Sequence, residues 1–297
     1  MKYIKRAHIN VEKWDACIKA STSLVYPYSW YLDEICENWD ALILEEDELY
    51  VACFPVPWKK KYGIKYVYPP FFIQQLGVFT ADKGIQAEPF FTYLIDHFRW
   101  VELYVKDKIE GLTPRCNMVL PLHDHYDQLK ANYSSNHRRN LKKATNAQWS
   151  IEKANTANKV IELFRRDKGK QYPALNESTF FSFSKICDLA FLKEQFVAYH
   201  VLDSSKEVVC GALFFVVNKR ITFVFSGNSE QGRKGAALFM LLDHIVKTYQ
   251  NTHFTLDFEG SEDAGLRRFY KGFGAVRQEY YFFKKHQLPF PLNLIKK

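Results

Sequence analysis

The stretch from residue 220 to residue 275 constrains the fold more than any other part of the sequence. Residues 221–225 form a run of β-branched and aromatic side chains, which is typical of a buried strand. After Ala236, apolar residues recur at the spacing of one helical face: Leu238, Leu241, Leu242, Ile245, Val246 and Tyr249. Strands near 253–258 and 276–283 and a helix near 264–270 come next. The pattern predicts an α/β sheet in which a long helix connects two strands.

The turn before this helix, residues 226–235, carries three glycines and two adjacent cations, Arg233 and Lys234. Free backbone N–H groups, a helix N-terminus and nearby cations are the parts of an anion site, and phosphate is the anion that this pattern predicts. The alternative is an ordinary strand-to-helix turn in which the glycines only shape the backbone. Both interpretations stay open at this point.

The two halves of the chain follow a similar order of elements, which predicts an internal duplication. In the second half the pattern indicates a strand at 148–153, helices at 160–166 and 178–193, and strands at 196–202, 208–217 and 220–225. In the first half the same order is fainter: a strand at 3–6, helices at 11–19 and 30–37, strands at 41–45, 49–57 and 64–68, a helix at 88–98 and a strand at 101–105. The first half has no glycine-rich turn before its last helix. A length of 297 residues fits about two domains, and we expect a boundary between residues 125 and 126.

Composition limits the classes of function. The chain has no run near the roughly 18 apolar residues of a membrane helix and no apolar stretch behind its charged N-terminus, so we expect a cytoplasmic protein without a membrane span. The six cysteines are widely spaced, which favours buried free thiols. The motif His123-Asp124-His125 lacks further ligands at fixed spacing, so we expect a polar linker and no metal.

The formal net charge of +8 is concentrated in three clusters. Such clusters suit phosphate-bearing partners such as nucleotides, coenzyme A or tRNA, although each could be a solvated surface. No DNA-binding motif is present, so we expect no DNA partner. The clusters comprise Lys59-Lys60-Lys61, Arg138-Arg139 with Lys142-Lys143, and Arg165-Arg166 with Lys168 and Lys170.

Three segments, taken in this order, resemble the tandem, FemAB-like branch of the GNAT acyltransferases. They read PPFFIQQLG from Pro69, SSNHRRNLKKA from Ser134, and DFEGS from Asp257 followed by FYKGFGA from Phe269. The resemblance covers essentially the whole chain. It implies two GNAT-like domains, each with a mixed, mostly antiparallel sheet flanked by helices: a degenerate domain at 1–125 and a catalytic domain at 126–297.

The resemblance also implies acetyl-CoA or another acyl-CoA as co-substrate. Backbone N–H groups at 224–226 would polarise the acyl carbonyl, and the glycine turn would bind phosphate. The turn departs from the family pattern, because Gly232 stands where Gln or Arg is expected, while Gly235 and Ala237 fit. The co-substrate residues implied are Phe225, Ser226, Gly232, Arg233, Lys234, Gly235 and Ala236.

Acyl transfer to an amine needs a base, and Glu259 and Asp257 at a predicted strand end could provide one. Strand alternation would put both carboxylates on one side, where each could raise the pKa of the other. They could instead cap the next helix or pair with Arg267 and Arg268. Tyr270 stands where the resemblance puts a tyrosine that protonates a thiolate leaving group, and it could also be a core ring.

Four polar residues are candidates for binding the acceptor between the domains. Arg138 and Arg139 could hold phosphate or carboxylate, and Gln74 and Gln75 interrupt an apolar, proline-flanked run. Exposed and merely structural roles are the alternatives. The sequence predicts N-acyl transfer to an amine on a small molecule or a cell-envelope precursor. The other hypotheses are a FemAB-like transferase that uses aminoacyl-tRNA and a non-catalytic protein that binds a phosphorylated or anionic ligand.

Overall fold

The computed structural model describes residues 1–21, 24–168, 175–260 and 262–288. Lys170, Ser261 and the side chain of Lys168, which the sequence singled out, lie outside these residues. The chain divides into two compact units, Met1–Arg115 with Glu279–Lys297, and Cys116–Gln278. The boundary predicted from the sequence, between residues 125 and 126, lies inside unit 2 by this division.

A short 3-10 helix, Arg6–His8, follows the first strand. The elements up to the division between the units are β1 (Lys2–Lys5), α1 (Val11–Ser21), α2 (Ser29–Ile35), β2 (Trp39–Glu46), β3 (Leu49–Lys61), β4 (Ile64–Val67), β5 (Phe79–Thr80), α3 (Glu88–His97) and β6 (Trp100–Val105).

The later elements of the chain are β7 (Thr113–Pro121), α4 (Tyr126–Ala131), α5 (Ser135–Asn146), β8 (Ser150–Ala154), α6 (Asn158–Lys168), α7 (Glu177–Leu192), β9 (Phe196–Leu202), β10 (Val208–Val217), β11 (Arg220–Asn228), α8 (Glu230–Lys234), α9 (Ala237–Tyr249), β12 (Thr255–Gly260), α10 (Ala264–Lys271) and β13 (Val276–His286).

The two units repeat one strand order. In unit 1 the order is β1-β2-β3-β4-β6-β13, with β5 paired to β3, and in unit 2 it is β8-β9-β10-β11-β12-β7. The fourth and fifth strands of each order are parallel, and the other described pairs along each order are antiparallel. The predicted duplication is therefore visible in the topology.

The sixth strand of each order comes from the other half of the sequence. In unit 1, β6 is completed by β13, from the C-terminal end of the sequence, and in unit 2, β12 is completed by β7, which precedes every other strand of that unit. This exchange explains why a boundary drawn along the sequence cannot coincide with the compact units. The sequence pattern did not predict β7, α4 or α5.

The core of unit 2 lies between the sheet and helices α4, α5, α9 and α10. Leu241, Leu242, Ile245 and Val246 of α9 are buried in it, as the periodicity predicts. The segment 226–235, predicted to be a turn, is more regular: β11 extends to Asn228, and α8 spans Glu230–Lys234. Ser229 initiates this helix, since its Oγ accepts the N–H of Gly232 at 3.0 Å.

All six cysteines are free and buried, which confirms the prediction from the sequence. His123 Nδ1 contacts the carbonyl of Thr252, and His125 caps α4, so this motif has local structural partners. The part of the chain that the structure describes holds no cluster of three or more His, Cys, Asp or Glu side chains suited to a metal ion. No helix among the described residues has the length and apolar character to cross a bilayer.

Candidate active site

A cleft opens in unit 2 where the parallel strands β11 and β12 stop pairing. Their ladder runs from Arg220 beside Thr255 to Thr222 beside Asp257. Beyond this point, residues 223–228 of β11 and 258–260 of β12 line a cleft of about 420 Å³. Strands that part in this way turn backbone hydrogen-bonding groups toward a space that a ligand can occupy.

The corresponding place in unit 1 is filled by the chain itself. Strands β4 and β6 pair at Val67 and Val101. Further along β6, the N–H of Leu76 donates to the carbonyl of Tyr104 and the carbonyl of Leu76 accepts the N–H of Lys106, both at 2.9 Å. The segment that carries Gln74 and Gln75 thus satisfies the edge of β6 from within unit 1. Gln75 is buried, and its Nε2 donates to Gln74 Oε1 at 2.7 Å.

The unit 2 cleft brings together five of the predicted site residues. Its polar lining also includes Asp167 of α6 and Asn228 of β11, which the sequence did not single out. The rest of the wall is mainly apolar, as is usual for sites that bind small molecules. The five predicted residues are Phe225, Ser226, Arg233, Glu259 and Tyr270.

Glu259 stands in an irregular part of β12. Its φ of 55° is unusual for a residue other than glycine, and the pairing of β12 with β7 shifts register between Asp257 and Gly260. The left-handed backbone breaks the simple alternation that the sequence predicts for residues 257–259. Strained backbone of this kind persists where surrounding contacts hold it.

Asp257 provides those contacts and does not line the cleft. Its side chain is fully buried, and Oδ2 is 2.7 Å from Nη1 of Arg220. Oδ1 accepts the side-chain amide of Asn117 at 3.0 Å and the backbone N–H of Glu259 at 2.9 Å. A carboxylate with these partners fixes the backbone around Glu259, and it is poorly placed to reach a substrate.

Tyr270 is buried in the wall of the cleft. Its ring is stacked on Phe258, with 4.7 Å between centroids. Burial raises the pKa of the Tyr270 phenol well above its usual range, and the negative charges of Glu259 and Asp263 raise it further. The phenol is therefore protonated at neutral pH and can donate a hydrogen bond into the cleft.

The predicted phosphate turn is more tightly packed than an open anion-binding loop. Backbone N–H groups of Arg233 and Gly235 donate to the carbonyls of Ser229 and Gln231 within the α8 region. A Cβ on Gly232 would overlap the carbonyl of Val209, and one on Gly235 would overlap the indole of Trp149. Both glycines are thus required for close packing, which is the simpler of the two interpretations of the sequence.

The two cations of this segment have different surroundings. Arg233 lines the cleft and is ion-paired with Asp167. Lys234 is exposed, with Nζ 2.7 Å from Oε1 of Glu230. Ala236, with a left-handed φ of 64°, is the N-cap of α9. A signal for Asp167 was present in the sequence, because it is an isolated acid within a basic cluster.

Arg138 and Arg139 are both on α5 and are not part of this cleft. Arg138 lines a different cleft of unit 2, and its Nη1 lies 3.4 Å from the carbonyl of Ala131. Arg139 is exposed and donates to Asn136 Oδ1 at 3.0 Å. Neither arginine lines the cleft that holds Glu259 and Tyr270.

Comparisons with known proteins show the fold at low sequence identity. No protein-family model matches the chain, and no curated protein matches it. Among solved structures, FemX superposes with a TM-score of 0.70 and 13% identity over 100% of both chains. A tandem GNAT protein from the clavulanic acid biosynthesis pathway has a TM-score of 0.55 and 11% identity, over 97% of this chain and 99% of that one.

A third structure with this fold is the C-terminal domain of a proposed lysylphosphatidylglycerol synthetase from Agrobacterium fabrum. It has a TM-score of 0.57 and 8% identity, over 96% of this chain and 93% of that one. The chain thus has the tandem GNAT fold that FemX shares. The predicted fold class is confirmed.

Proposed function

We propose that this chain is an acyltransferase that transfers an acyl group from acetyl-CoA or another acyl-CoA to an amine. The observation that carries the proposal is the unit 2 cleft, where the parted strands β11 and β12 meet Glu259 and Tyr270. The tandem GNAT fold supports the reaction class by analogy. The acceptor would be a small molecule or a cell-envelope precursor, and the protein would act in the cytoplasm.

The reaction can be written with the residues of the cleft. Glu259 takes a proton from the acceptor ammonium, and the free amine attacks the carbonyl carbon of the thioester. A C–N bond forms, and backbone N–H groups around Phe225 and Ser226 stabilise the oxyanion. The C–S bond then breaks, and the Tyr270 hydroxyl donates its proton to the leaving sulfur. The attacking nitrogen, which is positively charged after the C–N bond forms, loses its second proton to solvent and leaves a neutral amide. Solvent later removes the proton from Glu259 and returns one to Tyr270.

The charge of the Glu259 carboxylate couples the two proton transfers. The carboxylate of Glu259 is one cause of the raised pKa of Tyr270. When Glu259 accepts the proton of the ammonium, that negative charge disappears and the pKa of the phenol falls. Tyr270 therefore becomes a better acid at the stage when the leaving sulfur needs a proton.

Calorimetric titration with acetyl-CoA tests the donor. Arg233 lines the cleft, whereas its neighbour Lys234 is exposed and paired with Glu230. Arg233→Ala should weaken binding by about tenfold or more through the loss of a charged contact to phosphate. Lys234→Ala removes the same charge one residue away and should change affinity less. Equal losses of affinity in the two variants would indicate that the phosphate contacts the outer side of α8. No saturable binding would refute an acyl-CoA donor.

A second candidate is an aminoacyl transferase that takes its acyl group from aminoacyl-tRNA. The observation in its favour is α8, since its internal hydrogen bonds and the pairing of Arg233 with Asp167 leave this segment unlike an open phosphate loop. A gel shift with aminoacylated tRNA distinguishes the two donors. Binding of tRNA without acetyl-CoA binding would favour this candidate, and binding of neither would favour a non-catalytic anion-binding protein.

The acceptor assignments of Gln74, Gln75, Arg138 and Arg139 are predictions that need a substrate to test. Their variants should raise KM for the acceptor and leave the affinity for the donor unchanged. Because Gln75 is buried, Gln74 and the exposed Arg139 are better first choices for substitution. A fall in donor affinity would contradict the acceptor assignment.

A further inference from the structure

Unit 2 contains a second cleft, formed mainly by α4, α5 and α9, with a volume of about 540 Å³. It shares no lining residue with the first cleft. Volumes of this size are usual for sites that bind small molecules. Its charged and aromatic lining comprises Tyr126, Lys130, Arg138, Lys142, Trp149, Asp243, His244 and Lys247.

Positive charge dominates this second cleft. The only carboxylate among its lining residues is Asp243, which is buried and lies 2.8 Å from Nζ of Lys247. Within the described part of the chain, Lys130, Arg138 and Lys142 form no ion pair. These three cations lie along one concave surface with Asp243 as its single carboxylate, so an anionic ligand there would be attracted to an excess of positive charge.

Two rings of the cleft make contacts that hold them in place. The Tyr126 hydroxyl donates to Asp243 at 2.9 Å, and the ammonium groups of Lys247 and Lys130 lie 4.8 Å and 5.3 Å from the centre of its ring. Trp149 packs against Gly235, which has room for no side chain. A ring fixed in this way binds another flat ring at a low cost in conformational entropy.

We propose that the second cleft binds a nucleoside phosphate, either a free nucleotide or the end nucleotide of an oligonucleotide. The phosphate lies against Arg138, Lys142 and Lys130, since guanidinium and ammonium groups donate charge-assisted hydrogen bonds to phosphate oxygens. The base stacks on Trp149, because aromatic side chains accept any base face. This site does not require the first cleft, and Arg138 is the one residue that it shares with the candidates for acceptor binding.

Fluorescently labelled AMP and a short labelled single-stranded oligoribonucleotide are the probes, with anisotropy as the readout. Arg138→Ala and Lys142→Ala should each weaken binding about tenfold. Arg139→Ala is the matched control, because it removes the same charge from the same helix at a position outside the cleft. It should change affinity by less than about twofold. Circular dichroism and urea unfolding of each variant verify that the fold is unchanged.

Two further variants identify the site. Trp149→Leu should weaken AMP binding and leave the affinity for inorganic pyrophosphate, measured by competition, unchanged. Only the base of the nucleotide contacts the indole. Arg233→Ala should have no effect, because Arg233 lines the first cleft. Saturable AMP binding with this pattern supports a free nucleotide, and the same pattern with the oligonucleotide alone supports an end nucleotide. No saturable binding of either probe, or equal losses in the Arg138 and Arg139 variants, would overturn the proposal.

Discussion

The carboxylate of Asp257 accepts the backbone N–H of Glu259 at 2.9 Å, while its other oxygen is paired with Arg220 at 2.7 Å. Glu259 has a left-handed φ of 55°, and a backbone conformation of this kind costs about 1–3 kcal/mol. A buried ion pair therefore holds a strained residue at the edge of the first cleft. Of the two acids that the sequence offers as candidate bases, Asp257 is buried in this ion pair and Glu259 lines the cleft.

Asp257→Asn should destabilise unit 2, because it removes the negative charge that compensates the Arg220 guanidinium. The Arg220 side chain is only 11% exposed, and loss of one member of a buried pair costs about 3–5 kcal/mol. Urea unfolding measures the effect. The double variant Asp257→Asn with Arg220→Met should recover part of the loss, and Glu230→Gln, in an exposed pair, should change stability by less than about 1 kcal/mol. A single variant as stable as the wild type would contradict this role for the ion pair.

Glu259→Gln should lower kcat by about 100-fold to 10,000-fold, the range for loss of a general base. The affinity for the donor should change little, since the side chain acts on the acceptor amine. Steady-state kinetics with a range of amine acceptors measures the effect, and Glu207→Gln, at an exposed turn, is the control for charge. A variant with unchanged kcat at neutral pH would exclude Glu259 as the base.

Tyr270→Phe should lower kcat and leave stability almost unchanged, because the ring still stacks on Phe258. A thioester with a more acidic thiol leaving group needs less help from an acid, so it should react with the variant at a rate closer to that of the wild type. Kinetics with two such donors measure this difference. An equal loss with both donors would indicate a packing role for the phenol instead.

The stability of the protein should fall in alkaline solution. Burial raises the pKa of Tyr270 and of Tyr133 far above the value of about 10 for an unfolded tyrosine. These phenols stay protonated in the folded state and ionise in the unfolded chain, so stability is intact below about pH 10 and decreases as the pH rises above it. Urea unfolding between pH 8 and pH 11 measures the slope. Tyr133→Phe should reduce the slope, and an unchanged slope would contradict the prediction.

Gly235→Ala should destabilise the protein by about 1–3 kcal/mol, the usual cost of an added methyl group in a packed interior. A Cβ at this position would overlap the Trp149 indole. The double variant with Trp149→Leu should restore part of the loss, because the smaller side chain makes room. Thermal unfolding of the four proteins of this cycle gives the coupling energy, and a value near zero would show that the two residues do not contact.

The sequence predicts the order of strands and helices well, because long amphipathic helices and apolar strands have clear periods. It leaves two interpretations of residues 226–235 open, since glycines that permit close packing against Val209 and Trp149 look the same as glycines that shape a phosphate loop. Only the packed structure distinguishes them.

The sequence identifies some residues of the candidate site and does not show how they are arranged. Glu259 is a candidate because of its position at the end of a predicted strand, whereas Tyr270 is a candidate only through the family resemblance. Asp257 is buried whereas Glu259 lines the cleft. This difference depends on the positive φ of Glu259 and on Arg220, which lies 37 residues away in sequence from Asp257. Neither a local pattern nor strand alternation contains that information.

The exchange of sixth strands also governs how the chain can fold during translation. Strand β6 leaves the ribosome long before β13, its partner along Tyr281–His286, has been made. In the nascent unit 1, the edge of β6 therefore stays unpaired while the whole of unit 2 is synthesised. Unpaired strand edges promote aggregation. By contrast, β7 is already present when β12 emerges, so the unit that holds the candidate active site can complete its sheet first.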